Sequence, residues 1–183
     1  YLYVQVGTLN FAHISQLISE SGQTPMLTVT SLVFLLVFAL KSGLLLYFWL
    51  PGSYSAPPAA VAALFGGLLT KVGIYAMYRM FTLIFYHEPQ ITHTAIGILA
   101  GLTLSGGSIG AIAYKDVMQI SSYNVIIAVG FILVGLAVMT PAAIEGADYY
   151  LMHDMIAKTL LFLLAGTMLI VTGERKFNFM SGL

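Results

Sequence analysis

Residues 26–50 read MLTVTSLVFLLVFALKSGLLLYFWL and contain a single charged side chain, that of Lys41. A helix needs about 20 predominantly apolar residues to cross a bilayer, and this stretch is long enough to do so. Of the 183 residues in the chain, 59% are hydrophobic and 8% are charged, whereas soluble domains carry roughly 25% charge. The composition therefore excludes a soluble protein and predicts an integral membrane protein.

Four further apolar runs of similar length follow this stretch. They are separated by proline, glycine or charged residues, such as Pro51-Gly52-Ser53, Lys115-Asp116 and Glu174-Arg175-Lys176. Proline and glycine end helices, and charged residues are costly inside the hydrocarbon core. The pattern predicts an all-α membrane protein, a bundle of about five transmembrane helices, with spans at residues 26–50, 59–85, 95–114, 120–140 and 149–173.

The two ends of the chain differ from these runs. Asn10 can cap a short helix whose apolar face carries Phe11, Ile14 and Ile18. We interpret residues 1–25 as the end of a preceding helix plus an interfacial amphipathic segment, and residues 174–183 as a tail on the inner side. Because the chain begins with Tyr1 and shows no signal-peptide pattern, we expect an internal fragment of a longer protein.

The loops between the apolar runs alternate in charge, so basic loops are predicted on one side of the membrane and acidic loops on the other. Loops rich in lysine and arginine stay in the cytoplasm, so we expect a multi-pass protein of the plasma membrane with the Lys115 and Arg175 side cytoplasmic. The acidic residues of the opposite side are Glu20, Glu88, Glu145 and Asp148. Aromatic residues favour membrane boundaries, and those predicted at the inner boundary are Tyr47, Trp49, Tyr54 and Tyr114.

Composition also excludes several classes of function. Seven basic residues balance seven acidic ones, which argues against binding of nucleic acid through bulk charge. The chain has no cysteine, so zinc–thiolate sites, iron–sulfur clusters and thiol nucleophiles are excluded. With no motif for phosphate, hydride or acyl chemistry, we expect neither a cofactor nor a metal site.

Three lysines, Lys41, Lys71 and Lys158, lie near the middle of predicted spans. A lysine at the centre of a membrane helix costs ~2.5–3.5 kcal/mol on insertion, so such residues are rarely incidental. The acidic residue within the spans is Asp154, four positions before Lys158, where the two side chains share a helix face. One carboxylate cannot neutralise three ammonium groups. A buried ion pair that only fixes helix register is the structural alternative.

A buried lysine, unlike arginine, can lose its proton. Several such groups joined by water, histidine or hydroxyl groups form a proton relay. We predict that such a relay runs through Lys41, Lys71, Lys158, His153 and Asp154.

Other polar residues fit simpler roles. We expect three histidines near the predicted interfaces to be solvated, and we assign them no function: His13, His87 and His93. A polar patch in the fourth run fits helix–helix contact as well as a pathway, and it consists of Ser121, Ser122 and Asn124.

Lys41-Ser42-Gly43 interrupts the first apolar run at mid-depth. A membrane helix can unwind there if its freed backbone groups are buried in protein or line a wet cavity. Transporters place such broken helices at their ion sites, because half-helix ends carry partial charge. We therefore predict a break near Lys41, with Ser42, Gly43 and Pro51 acting as a hinge.

Three blocks of this sequence together resemble a known family. They are Lys41-Ser-Gly-Leu-Leu-Leu-Tyr-Phe-Trp-Leu-Pro51, Ala56-Pro-Pro-Ala-Ala-Val-Ala-Ala-Leu64 and Leu69-Thr-Lys-Val-Gly-Ile-Tyr75. The blocks resemble the proton-translocating antiporter-like subunits of respiratory complex I, membrane-bound hydrogenases and Mrp antiporters. The resemblance implies a fourteen-helix subunit with inverted repeats and a broken seventh helix near Lys41. It also implies a glutamate partner for Lys41 beyond this chain and an inter-channel lysine at Lys71.

Two further motifs narrow the branch of the family. Leu50-Pro-Gly-Ser-Tyr-Ser-Ala-Pro-Pro58 and His153-Asp-Met-Ile-Ala-Lys158 are similar to the branch found in Mrp-type multisubunit antiporters. The resemblance implies a proton-translocating subunit of a multisubunit Na+/H+ antiporter, which is not an enzyme. Its partners would be the other antiporter subunits, protons, sodium ions and the lipid bilayer. The alternatives are a proton-pumping membrane subunit of complex I or membrane-bound hydrogenase, and a structural scaffold subunit.

Overall fold

The helices of this protein follow one another with short connections. The computed structural model describes residues 1–22 and 24–180. The elements in chain order are α1 (Leu2–Val6), α2 (Phe11–Ser21), α3 (Pro25–Ser42), α4 (Leu50–Ser55), α5 (Ala59–Leu64), a π-helical segment (Phe65–Leu69), α6 (Thr70–Leu83), α7 (Pro89–Ala113), α8 (Val117–Val138), α9 (Pro141–Thr172) and a 3₁₀ turn (Phe177–Phe179).

Five helical stretches are long and apolar enough to cross a membrane. They are Pro25–Ser42, Ala59–Leu83, Pro89–Ala113, Val117–Val138 and Pro141–Thr172. The prediction of an all-α bundle with about five spans is therefore confirmed. In the second stretch, α5, the π-helical segment and α6 run on as one helix.

Three of these helices begin at a proline, a residue that usually ends helices. Pro25, Pro89 and Pro141 occupy the first turns of α3, α7 and α9, where a missing N–H costs nothing. As a result, α7 begins six residues before the predicted run at residue 95, and α9 begins eight before the run at residue 149. The first two turns of both helices contain polar residues, so a hydropathy pattern does not detect them.

The first predicted span is broken, as the Lys41-Ser42-Gly43 stretch indicated. Helix α3 ends at Ser42, and Gly43 has φ 80° and Leu45 φ 56°, so the backbone turns left-handed twice before α4 begins at Leu50. Protein groups pair with the freed backbone: the Leu45 N–H donates to Thr103 Oγ1 (2.8 Å). Trp49 Nε1–H donates to the Leu40 carbonyl (3.2 Å). These bonds pair backbone groups near the break with other groups of the protein, which irregular backbone in a membrane requires.

A second irregularity, the π-helical segment Phe65–Leu69, was missed by sequence reasoning. It contains Gly66-Gly67, and a side chain at Gly66 would collide with the ring of Phe162 on α9. The pair of glycines thus lets this segment and α9 approach closely, as small residues do in membrane bundles. π-Helical turns inside α-helices are often found at functional sites, and the Gly-Gly pair four and five residues before Lys71 was the available signal.

Tyr54, one of the aromatic residues predicted at the inner boundary, is packed inside the bundle. Tyr54 on α4 is fully buried, and its ring packs against Phe65 and Phe162 at centroid distances of 5.9 and 6.3 Å. Tyr54 is therefore a core residue, and it lies at the end of the bundle where Arg175 contacts the neighbouring Ser55. The break before α4 turns this short helix into the bundle, which sequence position along a straight helix could not indicate.

The loops with opposite charge lie at opposite ends of the bundle. Arg175 Nε lies 3.2 Å from Asp116 Oδ2, and the Arg175 guanidinium also donates to the Ser55 carbonyl (2.8 Å). Glu88 instead accepts a hydrogen bond from Thr28 Oγ1 (2.8 Å). Helix α7 separates these two ends by about 37 Å, the length of its 25 residues.

The segment before the first span forms two short helices. Asn10 caps α2, as expected, because its side chain accepts from the Ala12 N–H (3.1 Å). Ile14 and Ile18 are buried against the bundle, whereas Phe11 is largely exposed. Helix α2 is thus amphipathic and packs its apolar face on the protein.

Candidate functional site

A buried cluster of charges joins the second and fifth spans. Lys71 Nζ on α6 lies 2.7 Å from Asp154 Oδ2 on α9, and Lys158 Nζ lies 3.3 Å from Asp154 Oδ1. The exposed fractions are 3% for Lys71, 1% for Asp154 and 8% for Lys158. The two lysines thus share one carboxylate, each on its own oxygen.

The π-helical segment provides a further partner for Lys71. The Lys71 ammonium donates to the Gly66 carbonyl at 2.9 Å. Lys71 lies in the first turn of α6, directly after this segment, so the local departure from α-helical geometry places a backbone acceptor beside the buried cation. The carbonyl thereby adds partial negative charge to the full negative charge that Asp154 contributes.

Asn124 on α8 completes the cluster on the Lys158 side. Its Oδ1 accepts a hydrogen bond of 2.6 Å from Lys158 Nζ. The sequence pattern grouped Asn124 with Ser121 and Ser122, but those two hydroxyls donate to carbonyls of their own helix. The amide of Asn124, the last polar side chain before the apolar remainder of α8, was the signal that could have distinguished it from them.

The charges in this cluster do not balance. Two ammonium groups face one carboxylate, so the fully ionised cluster carries one excess positive charge in a site that water barely reaches. A buried ion pair offsets its desolvation cost only when opposite charges match. The single carboxylate therefore compensates the charge of only one of the two lysines.

Lys41 lies apart from this cluster. It is exposed on the surface of the chain, in the last turn of α3, where the partial negative charge of the helix end favours a cation. Among residues 1–22 and 24–180, no carboxylate forms an ion pair with it. Its side chain is thus available to groups outside the described part of the chain.

His153 also lies outside the cluster, although it is adjacent to Asp154 in sequence. Its side chain is exposed, and its ring centroid lies 6.0 Å from that of Tyr150. The i, i+4 spacing correctly placed Asp154 beside Lys158. In the structure Asp154 also contacts Lys71 from another helix, whereas the His153 side chain is exposed.

His93 is buried, so the expectation that it is solvated was wrong. Its exposed fraction is 2%, its Nδ1 lies 3.0 Å from Thr92 Oγ1, and its ring meets Phe81 edge-on at 6.3 Å. The cause is the early start of α7 at Pro89, which puts His93 in the second turn of the helix and against α6. Within the described residues, no three histidine or acidic side chains come together as a metal site.

Comparison with known proteins gives a matching family and several similar relatives. The sequence profile of the family described as "NADH:quinone oxidoreductase/Mrp antiporter, TM" matches residues 1–183. The chain is 57% identical to the D subunit of the Na(+)/H(+) antiporter of Bacillus subtilis and 53% identical to that of Alkalihalophilus pseudofirmus. Both matches cover 100% of this chain and 37% of the relative, so the chain spans little more than a third of their length.

Two solved complexes contain chains of the same fold. A chain of the Mrp complex from Dietzia sp. DQ12-45-1b superposes with a TM-score of 0.84 and 29% identity, covering 96% of this chain and 32% of that one. A chain of the membrane-bound sulfane sulfur reductase, an archaeal respiratory membrane complex, superposes with a TM-score of 0.91 and 26% identity. That match covers 100% of this chain and 38% of the other.

Proposed function

Because the chain belongs to the NADH:quinone oxidoreductase/Mrp antiporter transmembrane family, we propose that it is part of a proton-translocating subunit of a multisubunit cation/proton antiporter. Protons are held and passed by the cluster of Lys71, Asp154 and Lys158. The observation that carries this proposal is the single carboxylate that bridges two buried lysines.

One carboxylate compensates one ammonium group, so the two lysines compete for it. When Lys71 gains a proton, its ammonium strengthens the contact with Asp154 Oδ2 and the repulsion at Lys158 rises. Lys158 then gives up its proton and stays as a neutral amine hydrogen-bonded to Asn124. Passage of the proton from Lys71 to Lys158 through the Asp154 carboxylate, which contacts both lysines, restores the first state. Each cycle moves one proton in at one lysine and one proton out at the other, and the cluster keeps the same total charge.

Lys41 and His153 extend this relay beyond the described chain. Both side chains are exposed here, and the relatives are nearly three times as long, so further helices can cover them. We propose that Lys41 pairs with a carboxylate on such a helix, as the family resemblance implies, and that the break at Ser42 and Gly43 acts as its hinge. His153 relays protons from Asp154 toward the same missing part.

The names of the relatives indicate sodium as the exchanged cation and other antiporter subunits as the partners. We propose that the protein is a secondary transporter subunit of the plasma membrane rather than an enzyme, with no cofactor. The end of the bundle that holds Lys115 and Arg175 faces the cytoplasm, according to the charge rule.

A respiratory proton pump is the second candidate. The membrane-bound sulfane sulfur reductase contains a chain of this fold, so the same lysine cluster fits a membrane protein whose transport is driven by redox chemistry elsewhere in a complex. The 57% and 53% identity to antiporter subunits favours the antiporter. Purification of the native complex distinguishes the two, because a redox pump co-purifies with iron–sulfur proteins and an antiporter does not.

Antiport in everted membrane vesicles tests the proposal. The full-length subunit with Lys71→Ala, assembled in its complex, should lose sodium-dependent dissipation of a proton gradient. Lys115→Ala is the matched control, since Lys115 is an exposed lysine in the loop between α7 and α8. Full antiport by an assembled Lys71→Ala variant would contradict the relay and favour the scaffold function.

A further inference from the structure

The break between α3 and α4 rests directly on the backbone of α6. A methyl group added at Gly73 would lie 2.8 Å from the Ser42 nitrogen and 3.1 Å from the Lys41 carbonyl carbon, so the two backbones touch with no side chain between them. Gly73 follows Lys71 by two residues. Close approach at glycine sets how two membrane helices pack. The end of α3, which carries Lys41, therefore has a defined position relative to the helix that carries Lys71.

Helix α7 holds the other side of the break at two points. The Thr103 hydroxyl is fully buried; it donates to the Leu99 carbonyl of its own helix (2.6 Å) and accepts from the Leu45 N–H (2.8 Å). Three residues further along α7, Gly106 lies against the Tyr47 hydroxyl, which a side chain at that position would displace. The Thr103 hydroxyl thus acts as donor and acceptor at once. The first bond orients it, and the second attaches the break to α7.

Leu45 is the residue of the break that most needs such a contact. Its φ of 56° lies in the left-handed region, which is unfavourable for a residue with a Cβ atom. Gly43 also lies in this region, with φ 80°, but glycine adopts it without that penalty. Strained backbone persists only where the surrounding structure determines it. Thr103 supplies the hydrogen bond that holds Leu45 from outside the break.

The conformation of Leu45 also decides where Lys41 lies. Lys41 is in the last turn of α3, four residues before Leu45. Between them, Leu44 is fully buried, and its N–H donates to the Ala39 carbonyl (2.9 Å) at the end of α3. Because the connection is this short, a change in the backbone at Leu45 reaches the last turn of α3. Release of Leu45 from α7 would let that turn move on α6.

We propose that Thr103 is a positioning residue of the proton pathway. Its hydroxyl keeps Leu45 in the left-handed conformation, which holds the end of α3 and keeps Lys41 in a fixed relation to Lys71. This inference rests on the proposed proton relay and adds the contact from outside the break that positions Lys41. Thr103 itself carries no proton in this role.

Removal of the hydroxyl without loss of shape tests the proposal. In the full-length subunit within its complex, Thr103→Val should slow sodium-dependent proton movement by about tenfold or more, because small misplacement of reacting groups lowers rates steeply. Hydrogen exchange in residues 43–49 should become faster. Thr103→Ser, which keeps the hydroxyl, should retain both wild-type values. Thr82→Val is the matched control, since the Thr82 hydroxyl donates to the Tyr78 carbonyl of its own helix (2.6 Å).

A double variant distinguishes this role from a general loss of stability. Leu45→Gly removes the unfavourable contact of a Cβ atom in the left-handed region, so the break depends less on Thr103. Thr103→Val should therefore slow antiport by a smaller factor in the Leu45→Gly protein than in the wild type. An equal or larger factor would contradict the proposal, because it would mean that Thr103 acts independently of Leu45.

The outcomes separate this role from the proposed relay. Wild-type antiport in Thr103→Val, with Lys71→Ala inactive, would overturn the positioning role and leave the relay intact. Wild-type antiport in Lys71→Ala would overturn the relay itself, whatever the Thr103 variants show. Should Thr103→Val fail to assemble, Thr103→Cys has a similar size and offers only a weak acceptor. Antiport at the wild-type rate would then contradict the proposal, and a reduced rate would support it.

Discussion

The ammonium of Lys71 and the carboxylate of Asp154 lie 2.7 Å apart, although they belong to different membrane-spanning helices. Lys158 is the intrahelical neighbour of Asp154, yet its contact with the carboxylate is longer, at 3.3 Å. The interhelical pair is thus the closer of the two. This geometry makes Asp154 the point at which the second and fifth spans are coupled by charge.

Replacing Lys71 by arginine tests whether transport needs only a positive charge at this position or a group that can also release its proton. Arginine can pair with Asp154 but does not lose its proton in proteins. We expect Lys71→Arg to assemble as well as the wild type and to show severely reduced antiport, like Lys71→Ala. The measurement is sodium-dependent proton movement in vesicles, normalised to the amount of assembled complex. Near-normal transport would mean that the site needs only a fixed positive charge.

Loss of the Asp154 charge should affect both stability and transport. Asp154→Asn keeps the shape of the side chain but leaves two buried lysines without a counter-charge, and breaking a buried pair in this way costs about 3–5 kcal/mol. We expect a lower melting temperature of the purified complex and no antiport. Asp154→Glu, which retains the charge, is the control and should recover part of both. An Asp154→Asn complex with wild-type stability would show that the lysines are already neutral.

A small change in the shape of the helix break should reduce antiport less than the loss of Lys41 does. Lys41→Ala removes a group that we propose to carry protons, and it should abolish antiport. Gly43 has φ 80°, so Gly43→Ala strains the backbone by about 1 kcal/mol or more, and a new methyl group would lie 3.1 Å from Leu50 Cδ1. We expect Gly43→Ala to slow antiport less than Lys41→Ala does. Equal loss in both variants would indicate that the shape of the break, and not the lysine, limits transport.

Arg175 should stabilise the α4 end of the bundle only weakly. Its ion pair with Asp116 is half exposed, and such pairs contribute no more than about 1 kcal/mol. Arg175→Ala also removes the hydrogen bond to the Ser55 carbonyl. We therefore expect faster hydrogen exchange in α4 and in residues 174–180, with antiport retained. Unchanged exchange in α4 would show that packing of Tyr54 and Leu50 alone holds this helix.

The predicted orientation can be measured with single cysteines, because the chain has none of its own. Lys115→Cys and Glu145→Cys replace exposed side chains at opposite ends of the bundle. In a complex freed of other reactive cysteines, an impermeant thiol reagent should label position 145 from outside the cell and position 115 only from the cytoplasm. The reverse result would invert the orientation, and labelling of both from one side would contradict the five-span arrangement.

Sequence by itself determined the features that depend on neighbours along the chain. Apolar length defined the five spans, and Lys41-Ser42-Gly43 indicated the break, since a charge and a glycine at mid-depth both disfavour a continuous helix. The spacing of Asp154 and Lys158 placed them on one face because residues four apart are adjacent on a helix. Each of these inferences needs only the local geometry of one helix.

Only the tertiary structure decided which helix faces meet. Helices α8 and α9 are apolar on nearly all sides, so no amphipathic pattern marks the face that turns inward. The pairing of Lys71 with Asp154, the bond from Lys158 to Asn124 and the burial of Tyr54 therefore follow from how the spans pack. That packing depends on close approach at Gly66 and on the π-helical turn it belongs to. In a membrane bundle, van der Waals fit between helices sets their rotation, and that fit is a property of two surfaces, which neither helix specifies alone.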